Sequence, residues 1–166
     1  MELPKDQKTK ELDLQFIIIT INNMAHTFTN YGLGVLTDGS VDFVNDTIKA
    51  MLLTSSHTTD IDAQEFIDDV SANEVSGPGY TAGGFTLGTK TKTVDDANDL
   101  VKYDCADQTY TTATITARYI AFYKDSGTPG TSPILSIEDL GADKASTAGN
   151  WVYTVNASGL YNVRQG

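Results

Sequence analysis

The sequence is poor in the residues that form cross-links. Its 166 residues include a single cysteine, Cys105, and only two histidines, His26 and His57. A disulfide within the chain is therefore impossible, and a structural zinc site built from cysteine and histidine ligands is excluded. A chain of this length buries roughly 70% of its unfolded surface, which is enough for one domain without such cross-links.

Positive charge is also scarce. Lysine and arginine together number 11 against 22 acidic residues, so the formal net charge is -11, and the only arginines are Arg118 and Arg164. Binding to a nucleic-acid backbone requires clustered basic side chains, because affinity comes from the release of phosphate counterions. The composition argues against nucleic acid and against an anionic membrane as a partner.

Long hydrophobic runs are missing. The most apolar stretch, FIIITI at residues 16–21, is far shorter than the ~20 residues that span a bilayer. Acidic and basic side chains balance in the residues before it, and the following Asn22-Asn23-Met24 is not a small-residue cleavage site, so the signature of a secretory signal is absent. We therefore expect a soluble protein that is intracellular when made.

The N-terminal residues have the character of an arm. Residues 1–11 are polar and charged, and the apolar side chains that follow alternate with polar ones, as in a strand. Asn22-Asn23 then interrupts the pattern. We predict an arm over residues 1–23 and a single β-rich domain over residues 24–166.

The apolar face of this arm is the candidate partner-binding segment. Left unpaired, such a strand promotes aggregation, so it needs a sheet edge to pair with. Two alternatives stay open: the strand adds to a neighbour's sheet, or it closes the protein's own sandwich. The candidate residues are Leu12, Leu14, Phe16 and Ile18.

Beyond the arm, the pattern is mainly that of strands. Residues 27–37 suit a short helix or an extended segment, residues 48–53 a buried strand, and residues 63–70 (AQEFIDDV) a helix of about two turns. After residue 71, six strands are separated by clusters of Gly, Asp, Asn, Ser and Pro. Their predicted ranges are 85–94, 100–103, 113–124, 134–137, 151–155 and 160–163.

Successive strands without intervening helices predict a mainly β fold. We expect an antiparallel β-sandwich or small barrel with one or two short helices and an extended N-terminal arm. Residues 113–124 are apolar on both faces, so we expect this strand to be central in its sheet. Trp151 falls in a strand pattern and is predicted to lie in the core.

The glycine-rich stretch NEVSGPGYTAGGFTLG, residues 73–88, has some features of a phosphate-binding loop. Gly79 and Gly84 have the spacing of a P-loop, but Phe85 stands where that loop needs lysine, and a strand pattern follows instead of a helix. The dinucleotide-binding spacing also fails, because residue 82 is Ala. We interpret these glycines as turn residues that supply positive φ.

No catalytic site is predicted. His57 lies in the polar stretch SSHTTD, where Ser55 and Asp60 are its nearest potential partners, and the G-x-S-x-G motif is absent. Cys105 is interpreted as a small buried residue rather than a nucleophile. We predict that the protein is not an enzyme.

Cofactor and metal sites are not predicted either. Acidic clusters at residues 60–65 and 95–99 offer the oxygen ligands that calcium prefers, but neither matches an EF-hand loop. We interpret their carboxylates as solvated turn residues. Paired acids for glycoside hydrolysis stay open in so acidic a chain, although the aromatic side chains that stack on a sugar are not suggested by the sequence.

Several motifs resemble a group of tailed-bacteriophage virion structural proteins. The resemblance spans roughly residues 27–163 and includes DTIKAMLLTS at residues 46–55 and EVSGPGYTAGG at residues 74–84. It continues in ARYIAFYKDSGT at residues 117–128 and SPILSIEDLGADK at residues 132–144. Residues 1–23 depart from the pattern of the group.

This resemblance implies a non-enzymatic virion component. The function we expect is that of a capsid decoration (cement) protein on the head lattice; the alternative is a tail, collar or fibre-adaptor protein that contacts host glycan. The implied partners are other virion proteins and further copies of the chain. The implied location is the virion, after synthesis in the cytoplasm of a bacterial host. No functional residue is transferred from the group.

Overall fold

A computed structural model describes residues 26–164 of the chain. Eight strands form two antiparallel sheets, and the only α-helices in this range are short, which confirms the predicted mainly β fold. The predicted arm, with Leu12, Leu14, Phe16 and Ile18, lies outside the described residues, and so the division at residue 23 stays a prediction. Within residues 26–164, neither helix has the length and apolar character that crossing a bilayer requires.

The large sheet contains five strands in the order β1-β7-β6-β2-β3. The central position of β6 confirms the prediction for residues 113–124, although the strand begins earlier. The strands are β1 His26–Phe28, β2 Ile48–Leu53, β3 Phe85–Thr86, β6 Gln108–Lys124 and β7 Ile134–Tyr153.

The small sheet contains three strands in the order β4-β5-β8. They are β4 Thr91–Asp95, β5 Leu100–Asp104 and β8 Tyr161–Arg164. Tyr161 and Leu160 belong to the same buried cluster as Phe122 and Leu52 of the large sheet. The two sheets therefore share one core, an arrangement compatible with the predicted sandwich.

Two strand predictions are wrong in their extent. The pattern predicts separate strands at residues 134–137 and 151–155, but β7 runs continuously from Ile134 to Tyr153, with bulges opposite β6. For residues 85–94 the pattern predicts one strand. They form β3 and β4 in different sheets, because the chain turns at Thr89, whose φ is 48°. Bulges and positive φ values leave little trace in hydrophobic periodicity.

The first helix, α1, spans Asn30–Thr37 and packs closely on β7. Thr29 is the N-cap residue of this helix. Its hydroxyl accepts a hydrogen bond from the N–H of Gly32 at 2.9 Å and donates one to the carbonyl of Ile134 at 2.9 Å. A methyl group on Gly32 would lie 2.3 Å from that same carbonyl oxygen. Glycine is therefore required where the helix crosses β7.

The helix predicted over residues 63–70 is largely wrong. The second helix, α2, covers only Asp68–Ser71. The preceding backbone bonds instead to the chain around β7: the N–H of Ile67 donates to Ser132 and that of Ile134 to the carbonyl of Glu65. These tertiary hydrogen bonds compete with the helical ones, although Ile67 and Val70 of this stretch are buried in the core.

Candidate functional site

The glycine-rich loop folds onto the large sheet as a series of turns. The carboxylate of Glu74 accepts hydrogen bonds from the Tyr80 hydroxyl at 2.8 Å and from the N–H of Gly83 at 2.5 Å. Gly84 has φ +79°, and a Cβ there would lie 1.8 Å from the carbonyl oxygen of Ala50. The N–H of Gly83 is thus bonded to the loop's own carboxylate, and the glycines with positive φ act as the predicted turn residues.

A polar cluster that no pattern in the sequence predicts lies inside the core. Ser136 Oγ lies 3.5 Å from Nδ1 of His26, and Nε2 of the same ring lies 3.5 Å from Oε2 of Glu138. Ser136 also bonds to the hydroxyl of Tyr161 at 2.7 Å, and the Tyr153 hydroxyl donates to Glu138 at 2.6 Å. The cluster joins β1, β7 and β8.

The contacts from Ser136 to His26 and from His26 to Glu138 have the arrangement of a nucleophilic triad. The surroundings of these residues differ from those of an active site. Ser136 is 0% exposed, and the His26 side chain is 2% exposed. The His26 ring packs against Phe122 and Tyr161 at centroid distances of 5.2 and 5.3 Å. The serine and histidine are thus enclosed among core side chains, and their contacts join β1, β7 and β8.

Burial governs the charge state of this cluster. Loss of hydration lowers the pKa of His26 to about 4. Burial raises the pKa of Glu138, and the hydrogen bond from Tyr153 acts in the opposite direction. The close contact of His26 with Glu138 is therefore not an ion pair at neutral pH, because the imidazole is neutral.

The other sequence candidates are separated in the structure. His57 is buried, with Nε2 3.3 Å from the hydroxyl of Thr59 and its ring edge-on to Tyr119, and it makes no hydrogen bond to Ser55 or Asp60. Cys105 is buried, as predicted, and burial raises the pKa of its thiol to about 12. Such a thiol carries almost no thiolate at neutral pH.

The acidic clusters are used in turns. The carboxylate of Asp60 accepts from the N–H groups of Asp62 and Ala63, while Asp95 accepts from those of Ala97 and Asn98. Over residues 26–164, no three His, Cys, Asp or Glu side chains are grouped as metal ligands. Trp151 is buried in the core, as its strand pattern predicted.

An apolar cleft opens where the two sheets meet at their edges. It lies between β1, at one edge of the large sheet, and β8, at one edge of the small sheet, with α1 as its third wall. The volume is about 170 Å³. The lining residues are Phe28, Leu33, Leu36, Thr37, Phe43, Tyr103, Tyr161, Asn162 and Val163.

One residue of the cleft wall, Asn162, carries a buried polar atom without a partner in the described chain. Asn162 is 2% exposed, and its side-chain oxygen has no hydrogen bond within the described chain. An unpaired buried acceptor is uncommon, since losing water without a replacement donor costs roughly 1–3 kcal/mol. Asn162 is therefore a residue of the cleft wall whose buried side-chain oxygen lacks a hydrogen-bond donor within the described chain.

Comparisons with known protein families, with curated proteins and with solved structures found no match to this chain.

Proposed function

We propose that the protein is a structural component of a bacteriophage virion, and that it binds the capsid as a decoration protein. The observation that carries the proposal is β4, which is an edge strand of the small sheet within residues 26–164 and in which four of five residues are exposed. Val94 is 64% exposed on this strand. An edge strand of this kind pairs with another chain through main-chain hydrogen bonds, while side chains such as Val94 supply specificity.

The charge distribution suits such a role. A net charge of -11 keeps free copies apart in solution before assembly. The sequence resemblance to virion structural proteins, over roughly residues 27–163, supports the same proposal.

The buried polar cluster supports a non-enzymatic role. Its serine, histidine and glutamate have the identities that catalysis uses, yet they join strands inside the core. The available surface for function is then the outside of the sheets and their edges.

The test is the number of copies in purified particles that contain the chain, measured by quantitative mass spectrometry. Hundreds of copies per particle, released together with capsid protein, are expected of a decoration protein. A number typical of one ring, about three to twelve, would contradict decoration and place the protein in the tail, collar or fibre base. Absence from the particles would contradict a virion role altogether.

A further inference from the structure

We infer that the cleft between β1 and β8 is the docking site for the apolar N-terminal segment, residues 12–21 (LDLQFIIITI), of the same chain. This inference goes beyond the proposed function and does not depend on it. It selects between the two alternatives that the sequence left open for the arm.

The first argument is the position of the cleft between two open edges. Within the described chain, β1 pairs only with β7, and β8 pairs only with β5. An added strand would bond to one of these edges and place alternate side chains in the cleft. Pockets beside an open edge, filled by every second side chain, are the geometry by which sheets take up an extra strand.

The second argument is the chemistry of the cleft. Phe28, Leu33, Leu36, Tyr103 and Val163 are only partly buried around a volume of about 170 Å³. Such a space holds an apolar side chain of the size of phenylalanine or isoleucine, as an apolar cavity of about 150 Å³ holds benzene. The segment offers this type of side chain at alternate positions, from Leu12 to Ile18.

The third argument is the unpaired oxygen of Asn162. Asn162 lies on β8, at the wall of the cleft, and its side-chain oxygen lacks a donor within the described chain. A strand in the cleft brings main-chain N–H groups next to Asn162, and these are donors of the type that its oxygen lacks.

Chain continuity selects the occupant. Only four residues, Asn22 to Ala25, separate the segment from β1, and β1 contributes Phe28 to the cleft. Because the segment is tethered, its effective concentration at the cleft is millimolar or above, which favours it over the segment of a second copy.

The test is photo-crosslinking of the full-length protein. Benzoylphenylalanine replaces Tyr103, a half-buried residue of the cleft wall. Isotope-labelled and unlabelled chains are mixed before irradiation, and fragment spectra locate the attachment point. We expect attachment within residues 12–21. Both cross-linked peptides should carry the same isotope label, because they come from the same chain. Attachment only within α1 would overturn the inference, and mixed-label pairs would show that a second copy fills the cleft. Benzoylphenylalanine in place of Val152 is the control, because Val152 does not line the cleft.

Two variants test the role of the apolar face. Phe16→Asp should abolish crosslinking from position 103 to residues 12–21. Gln15→Asp adds the same charge at the neighbouring position, on the opposite side of a strand, and should leave the crosslink in place. Equal crosslinking in the two variants would overturn the docking of this face. Since these measurements use the purified protein alone, their outcome is separate from that of the virion test.

Discussion

The hydroxyl of Tyr161 lies 2.7 Å from that of Ser136, and this hydrogen bond joins the small sheet to the large one. Both residues are buried, and the Tyr161 ring also packs against Phe28 and Phe43. Tyr161 lies on β8 of the small sheet and Ser136 on β7 of the large sheet, so these strands are not paired with each other. The contact between the sheets thus combines aromatic packing with one buried polar bond.

Tyr161→Phe should therefore destabilise the fold while preserving its packing. We expect the free energy of unfolding to fall by about 1 kcal/mol, because the Ser136 hydroxyl loses its best partner inside the core. Tyr103→Phe is the matched control: Tyr103 pairs with Tyr161 in the small sheet, and its hydroxyl makes no hydrogen bond within the described chain. Urea unfolding of both variants provides the measurement, and equal losses would contradict the role of the Ser136 contact.

Acid should weaken the fold through His26. Its pKa is about 4 in the folded protein against 6.5 in the unfolded chain, so the unfolded state binds more protons between these two values. Stability therefore falls as the pH drops from about 6.5 to 4, by roughly 3 kcal/mol from this residue alone. Glu138 acts in the opposite direction, because its raised pKa makes proton uptake favour the folded state.

The measurement is the free energy of unfolding across this pH range for the natural protein and for His26→Gln. The variant should lose most of the dependence between pH 6.5 and 4, whatever its stability at pH 7. An unchanged slope would show that His26 does not titrate as its burial requires.

The two glycines of α1 should respond oppositely to alanine. Gly32→Ala places a methyl group 2.3 Å from the Ile134 carbonyl oxygen and 2.4 Å from that of Leu135, so we expect a loss of about 1–3 kcal/mol. A Cβ at position 34 has no heavy atom within 4 Å apart from its chain neighbours and the backbone of its own helix. Gly34→Ala should therefore stabilise the helix by up to about 1 kcal/mol. Thermal unfolding of both variants tests the close approach of α1 to β7, and similar melting temperatures would contradict it.

The β4 edge should matter for assembly and not for folding. Val94→Lys places a charge on an exposed edge strand, where it opposes strand pairing but disturbs no core contact. We expect less than about 0.5 kcal/mol change in stability and a marked loss of co-sedimentation with capsids. Val152→Lys is the control, since Val152 is also exposed, at 46%, but lies on β7. Full capsid binding by the Val94 variant would contradict the proposed edge contact.

The pattern of the sequence predicted the positions of most strands and part of the core. Residues 48–53 and 113–124 form strands as expected, and Trp151 and Cys105 are buried. These features follow from local periodicity and composition, because an apolar face has to be covered wherever the chain places it.

Contacts between distant residues decided the rest. His26 meets Ser136 across 110 positions of sequence, and such a separation has no local signature. The hydrogen bonds of residues 65–67 to the start of β7 replaced the predicted helix, since tertiary partners outweigh the small differences in helix propensity. The sequence alone thus determined that this is a β protein without internal cross-links, whereas the tertiary structure decided which side chains share its core and which strands form the edges of the two described sheets.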